Sequence, residues 1–206
     1  GHKARCLEHK AEMHQIKQQR DSATIKLIRM DALAEAVFKG YCTLQHIQDV
    51  FGSNPLPPHV RGLANAAVAG GIACDTFGGR KLEWEILLWL YMAGVIDKNG
   101  DFIVCSKHKT AKTYGSIAKY LPPTLFAAFV LYAALWRPDD YQYFLVPAHH
   151  GTEKVSLPNA LKTWCLNWLE EGHVDIKYNI MRKLFHKALR DINVNEDKLK
   201  ELMVIL

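Results

Sequence analysis

The stretch Leu125-Phe-Ala-Ala-Phe-Val-Leu-Tyr-Ala-Ala-Leu-Trp136 is the longest uncharged apolar run in the sequence. It is too short to cross a bilayer, which takes about 20 residues. We therefore interpret it as a helix buried in the core of a globular fold. Pro122-Pro123 precedes the run and Arg137-Pro138 follows it, and these residues mark its two ends.

The composition supports a globular fold of one large domain or two small ones. Of the 206 residues, 49% are hydrophobic and 23% are charged. This balance excludes a disordered tail, a collagen-like fibre and a coiled coil. The five cysteines are scattered without a CxxC pair, which disfavours a disulfide framework and a zinc knuckle and favours reduced thiols in an intracellular protein. No metal site and no cofactor are predicted.

A small sheet is expected just before the apolar run. Asn99-Gly100 is a strong hairpin signal, and it lies between the β-prone residues 95–96 and 102–105. Residues 117–121 are expected to form a third strand. Helices are expected downstream at 156–171 and 178–191, and Asn195 is expected to cap a last helix. The predicted fold class is mostly α (α+β): a helical bundle with a small three-stranded antiparallel sheet.

The N-terminal part reads as a separate helical segment. Residues 3–20 are polar and basic, which predicts a solvated helix or an arm. Residues 24–50 are expected to be helical, with Gly40 as a stop and Thr43 as the cap of a further short helix. The proline-rich loop at 52–58 then divides the chain into an N-terminal segment, 1–52, and a core, 59–206.

Two basic stretches, 107–119 and 177–190, contain no acidic residue, and the net charge is +5. In the second stretch the apolar residues fall on one helical face and basic residues cover the rest. Fixed cations of this kind neutralise nucleic-acid phosphates, although a solvated basic face gives the same pattern. The candidate DNA contacts are Lys107, His108, Lys112, Lys183, His186 and Lys187.

Three short motifs follow one another in the core. They are Gly78-Gly-Arg-Lys-Leu-Glu-Trp-Glu-Ile86, then Lys107-His-Lys-Thr-Ala-Lys-Thr-Tyr114 with Tyr120-Leu-Pro122, and finally Asn179-Ile-Met-Arg182. The first resembles the Thr-Gly-Leu-Arg-x-x-Glu-Leu motif of tyrosine recombinases, the phage-type integrases and their transposon relatives. The second is similar to the family's catalytic-lysine segment, and the third to its His-x-x-Arg motif. The resemblance covers about residues 60 to 206.

The resemblance implies a set of catalytic roles. Arg80 and Arg182 would clamp the scissile phosphate, and Glu83 would orient Arg80. Lys109 would protonate the leaving 5′-oxygen, with Lys107 and Lys112 as the alternatives for this role. Asn179 stands where the family has histidine, so it would contact a phosphate oxygen or be inert, because an amide is not a general acid or base. The reaction would pass through a 3′-phosphotyrosine and need no metal.

The sequence departs from the family at the nucleophile. No tyrosine follows Tyr178, and the family's tyrosine motif would begin after Leu206, so this chain alone is not expected to cleave DNA. The alternatives are a catalytically inactive, recombinase-derived DNA-binding module and a helical protein-interaction domain. The expected partner is double-stranded DNA and no membrane, with a monomer in solution, a homo-oligomer on DNA, and a nuclear location if the source is eukaryotic.

Overall fold

The computed structural model describes residues 2–75, 102–105, 112, 115, 117–120, 122–141, 143–149, 154–170, 176–195 and 197–198. Helices dominate this part of the chain. In order, the elements are α1 (His2–Leu27), α2 (Met30–Phe51), α3 (Pro58–Asp75), β1 (Phe102–Cys105), β2 (Ile117–Tyr120), α4 (Pro123–Trp136), α5 (Leu157–Trp168) and α6 (Tyr178–Asp191).

The centre of the core is the packing of α3 between α2 and α5. Trp164 of α5 is fully buried, and its indole lies directly against the backbone of Gly70 in α3. A Cβ atom at position 70 would overlap the indole ring. The run of small residues in α3, with Ala64, Ala66 and Ala67 all buried, lets the neighbouring helices approach closely.

Helix α2 passes through Gly40 without a break, so the prediction of a stop at this residue is wrong. Gly40 is buried, and a Cβ there would lie 3.5 Å from the Cβ of Ala67, so the glycine serves close packing between α2 and α3. Thr43 does not cap a helix, because its hydroxyl donates to the Lys39 carbonyl one turn back, at 2.9 Å. The helix ends before Gly52, whose φ of 54° is in the left-handed region that favours glycine.

The apolar run at 125–136 forms the buried helix α4, as predicted, and a polar network joins it to α3. The hydroxyl of Tyr132 donates to Asn65 Oδ1 at 2.6 Å and accepts from the Val146 N–H at 2.9 Å. Asn65 Nδ2 in turn donates to the Val146 carbonyl at 2.8 Å. Burial raises the pKa of the Tyr132 hydroxyl well above its ordinary value. The network fixes α3, α4 and the segment around Val146 to one another.

The prediction of a three-stranded sheet is wrong. The sheet in the described residues has two antiparallel strands, with Phe102 opposite Tyr120 and Cys105 opposite Ile117. The strand predicted at 95–96 and the turn at Asn99-Gly100 lie outside the described residues. Turn residues and β-branched runs identify segments that favour a strand, but the number of strands that pair depends on tertiary contacts. The mostly helical class stands.

The remaining helices lie where the sequence predicts them, but α5 ends at Trp168, three residues before the predicted end at 171. Ser156 caps α5, where its hydroxyl accepts from the Asn159 N–H at 3.4 Å. Helix α6 has the predicted bounds, and Asn195 accepts from the Asp197 N–H at 2.8 Å at the start of the next turn. Residues 3–20 of α1 are all exposed, which confirms a solvated helix. No helix in the described ranges is long and apolar enough to span a membrane.

Replacing Gly70 by alanine tests the central helix contact. Because a Cβ at this position overlaps the buried indole of Trp164, we expect the free energy of unfolding to fall by about 2 kcal/mol. Gly62 in the same helix is the matched control, since a Cβ there meets nothing within 4 Å. Gly62→Ala is expected to leave stability unchanged or to raise it by up to about 1 kcal/mol. Urea unfolding measures both, and equal effects would contradict the packing argument.

Replacing Tyr132 by phenylalanine tests the buried network. The change leaves Asn65 Oδ1 and the Val146 N–H without their shared partner, so stability is expected to fall by about 2–3 kcal/mol. The pKa of the Tyr132 hydroxyl is raised only in the folded state, so the unfolded chain loses this proton first as the pH rises. The free energy of unfolding of the parent therefore falls above the ordinary phenol pKa of about 10. This alkaline loss should be smaller in Tyr132→Phe. Tyr143→Phe, on the half-buried tyrosine of the same segment, should keep it.

Candidate nucleic-acid interface

Helix α6 is fixed to the body of the protein by one apolar face. Ile180, Met181 and Leu184 are buried and belong to the common core. Their spacing of one, three and four residues places them on one side of a helix. The side chains that follow on the opposite side are therefore held at fixed positions relative to the core.

The outer side of α6 carries the polar and basic residues. Asn179, Lys183, His186 and Arg190 follow one another at intervals of four, three and four residues, which makes one stripe along the helix. We call these four residues the outer stripe. Asn179 and Arg190 are exposed at its two ends, and Lys183 and His186 are half-buried between them. Residues 177–190 contain no acid, and the one acid of α6 is Asp191, exposed at the last position of the helix.

Two further cations flank the outer stripe. Lys187 is exposed, one residue after His186. Arg182 is half-buried, and it lies on the other flank, between the stripe and the core. Asn179 and Arg182, which resemble the His-x-x-Arg pair, are three residues apart and so lie one turn from each other on the helix. The structure thus brings together five of the predicted site residues: Asn179, Arg182, Lys183, His186 and Lys187.

Lys183 has a partner that the sequence analysis missed. Its ammonium lies 2.5 Å from the carboxylate of Asp21 in α1, a residue that is only 7% exposed. Asp21 is the single acid between Glu12 and Asp31, and Ile25 and Ile28 follow it at four and seven residues. The signal for this contact in the sequence was a single acid at helical spacing from apolar residues. Only the tertiary structure shows which cation it meets.

The other predicted site residues come from other parts of the chain. Arg80, Glu83, Lys107, His108 and Lys109 lie outside the described residues. Lys112 is described and exposed. The proposed clamp of Arg80 and Arg182 and the choice of catalytic lysine therefore remain predictions. Within the described ranges, no group of three or more histidine, cysteine or acidic side chains is arranged to hold a metal ion.

Comparison with known proteins identifies no relative of this chain. The chain matches no protein-family model, no curated protein and no solved structure. The resemblance to tyrosine recombinases therefore rests on the three motifs, and the function has to be argued from the surface of α6 itself.

Proposed function

We propose that this chain binds double-stranded DNA through the outer side of α6. The observation that carries the proposal is the construction of this helix: a buried apolar face holds it rigidly, and Lys187 and Arg190, from a stretch without acids at 177–190, are exposed to solvent. Cations held in this way bind phosphates with little loss of backbone freedom. Each phosphate that they neutralise also releases condensed counterions.

The length of α6 suits a contact within one turn of a duplex, which is about 34 Å long. Its 14 residues extend over about 21 Å at 1.5 Å per residue. An α-helix fits the major groove or lies along the phosphate backbone. Because the outer side offers cations rather than a row of amides, we assign most of its affinity to phosphates and little of it to base recognition.

We further propose, from the motif resemblance, that the DNA contact serves strand cleavage and rejoining. Arg182 would bind the non-bridging oxygens of the scissile phosphate together with Arg80. Guanidinium groups suit this task because they donate two parallel hydrogen bonds to one phosphate. Glu83 would orient Arg80, and Lys109 would protonate the leaving oxygen. The half-buried position of Arg182 on a rigid helix supports its part in this arrangement.

A second candidate is a recombinase-derived module that binds DNA without cleaving it. The residue that favours it is Asn179, which is exposed at the beginning of α6 where the family has histidine. An amide there still donates a hydrogen bond to a phosphate oxygen, but it transfers no proton near neutral pH. Both candidates share the DNA contact of α6, which is therefore the feature to test first.

Fluorescence anisotropy with a 30-base-pair duplex in a series of salt concentrations tests the DNA contact. We expect the affinity of the parent to fall steeply with salt. The double variant Lys187→Gln/Arg190→Gln should weaken binding and reduce the slope of log K against log salt by about two, one for each lost phosphate contact. The matched control is Lys39→Gln/Lys162→Gln, which removes the same charge from α2 and α5 and should keep the slope.

Two results would contradict the proposal. Absence of binding at low salt would exclude DNA as a partner of this chain. A slope that falls equally in the α6 variant and in the control would show that only the net charge attracts DNA, and that α6 is not the contact. Circular dichroism spectra of all variants establish that the comparison is between folded proteins.

A further inference from the structure

Helix α1 meets the rest of the molecule over a short length only. Residues 3–20 are exposed, and Asp21, which follows them, is buried. From there Thr24 and Ile25 are half-buried, and Ile28 just beyond the helix is buried. Among the described helices, the one that α1 contacts most is α6. The last two turns of α1 therefore attach it to the described part of the protein.

The attachment lies in the middle of the outer stripe. Asp21 Oδ2 is 2.5 Å from Lys183 Nζ, with Asn179 and Arg190 exposed on either side along α6. The side chain of Asp21 is 10% exposed and that of Lys183 is 38% exposed. Solvent and solutes thus reach the ammonium, whereas the carboxylate is largely covered. A phosphate that approaches the centre of the outer stripe meets a lysine whose charge is already balanced.

We propose that the Asp21–Lys183 ion pair is a latch by which α1 occupies the central phosphate position of α6. DNA would displace the carboxylate of Asp21 from Lys183 and release the end of α1 from α6. This inference rests on the proposed function and adds a regulation to it: the protein in solution is the latched form, and the DNA-bound protein is the open one.

The latch is suited to exchange rather than to permanent attachment. An ion pair with one partner more than a third exposed contributes little net stability, because water competes for the ammonium. A phosphate brought next to an intact pair would be repelled by the carboxylate, so the two anions exclude each other at Lys183. Binding of either anion therefore weakens binding of the other, which is a coupling in the thermodynamic sense.

Opening does not require α1 to leave the complex. Lys3, Lys10 and Lys17 follow one another at intervals of seven residues, and Asp21 comes four residues after Lys17. All four therefore lie on one side of the helix. The three lysines are exposed, and the acids Glu8 and Glu12 lie on the other side of the helix. Once released, this side of α1 offers its own cations to the duplex.

A double-mutant cycle tests the latch with the same 30-base-pair duplex. Asp21→Asn keeps the shape of the side chain and removes its charge, so it should raise DNA affinity by at least about fivefold and increase the salt slope by about one. In the Lys183→Gln background, where no ammonium is left to release, Asp21→Asn should have no further effect. Glu12→Gln, which removes an exposed acid from the other side of α1, is the matched control and should change the affinity little.

Hydrogen exchange of the parent protein gives a second measurement that needs no variant. Saturating duplex should speed the exchange of amides at 18–27, at the attached end of α1, while the amides of α3 remain protected. Unchanged or slower exchange at 18–27 on DNA would overturn the latch, whatever the variants do.

The affinities separate failure of the latch from failure of the proposed function. If Asp21→Asn matches the parent, weakens binding, or acts equally with and without Lys183, the latch is wrong. If binding meanwhile still depends on Lys187 and Arg190, DNA recognition by α6 stands. If the parent does not bind the duplex at all, both proposals fall together.

Discussion

The indole of Trp164 lies against the backbone of Gly70, and this contact sets how closely α5 approaches α3. The same ring extends towards Gly40, so α2 is held at the same point. Helices come this close only where a side chain is missing from the facing position, because interiors are packed without voids or overlaps. The two glycines and the alanines of α3 are therefore determinants of the fold. Helices α4 and α6 also contact α3, the central helix of this group.

The second constraint is polar. Three buried hydrogen bonds join Asn65, Tyr132 and Val146, so each of the polar groups that takes part has a hydrogen-bond partner. Buried polar groups stabilise a unique arrangement only when all of them find partners. The network thus selects one register of α4 against α3 and brings the segment around Val146 into the core. Arg137 adds to this by donating to the carbonyls of Tyr141 and Tyr143, which closes the turn after α4.

The surface proposed to bind DNA depends on this core. Ile180, Met181 and Leu184 insert into it, so the outer stripe of α6 inherits the rigidity of the helix packing. The positive charge of the outer stripe is not evenly distributed, however. A stripe of cations with one member already paired to Asp21 has a centre that is electrically different from its ends. The position of α1 is thus an electrostatic property of the interface as well as a feature of the fold.

Four features could be predicted from the sequence: the helical class, the buried run at 125–136, the bounds of α6 and the basic outer side of that helix. These features follow from local periodicity, capping and charge, which act over a few residues. Four others depend on contacts between distant parts of the chain: the continuity of α2 through Gly40, the number of paired strands, the Asn65–Tyr132 bond and the Asp21–Lys183 pair. Asp21 and Lys183 are 162 residues apart in the chain. Glycine often ends a helix, but at Gly40 the helix continues because the missing side chain lets α3 pack closely. The partner of Asp21 is distant in sequence, so the ion pair is seen only in the folded chain.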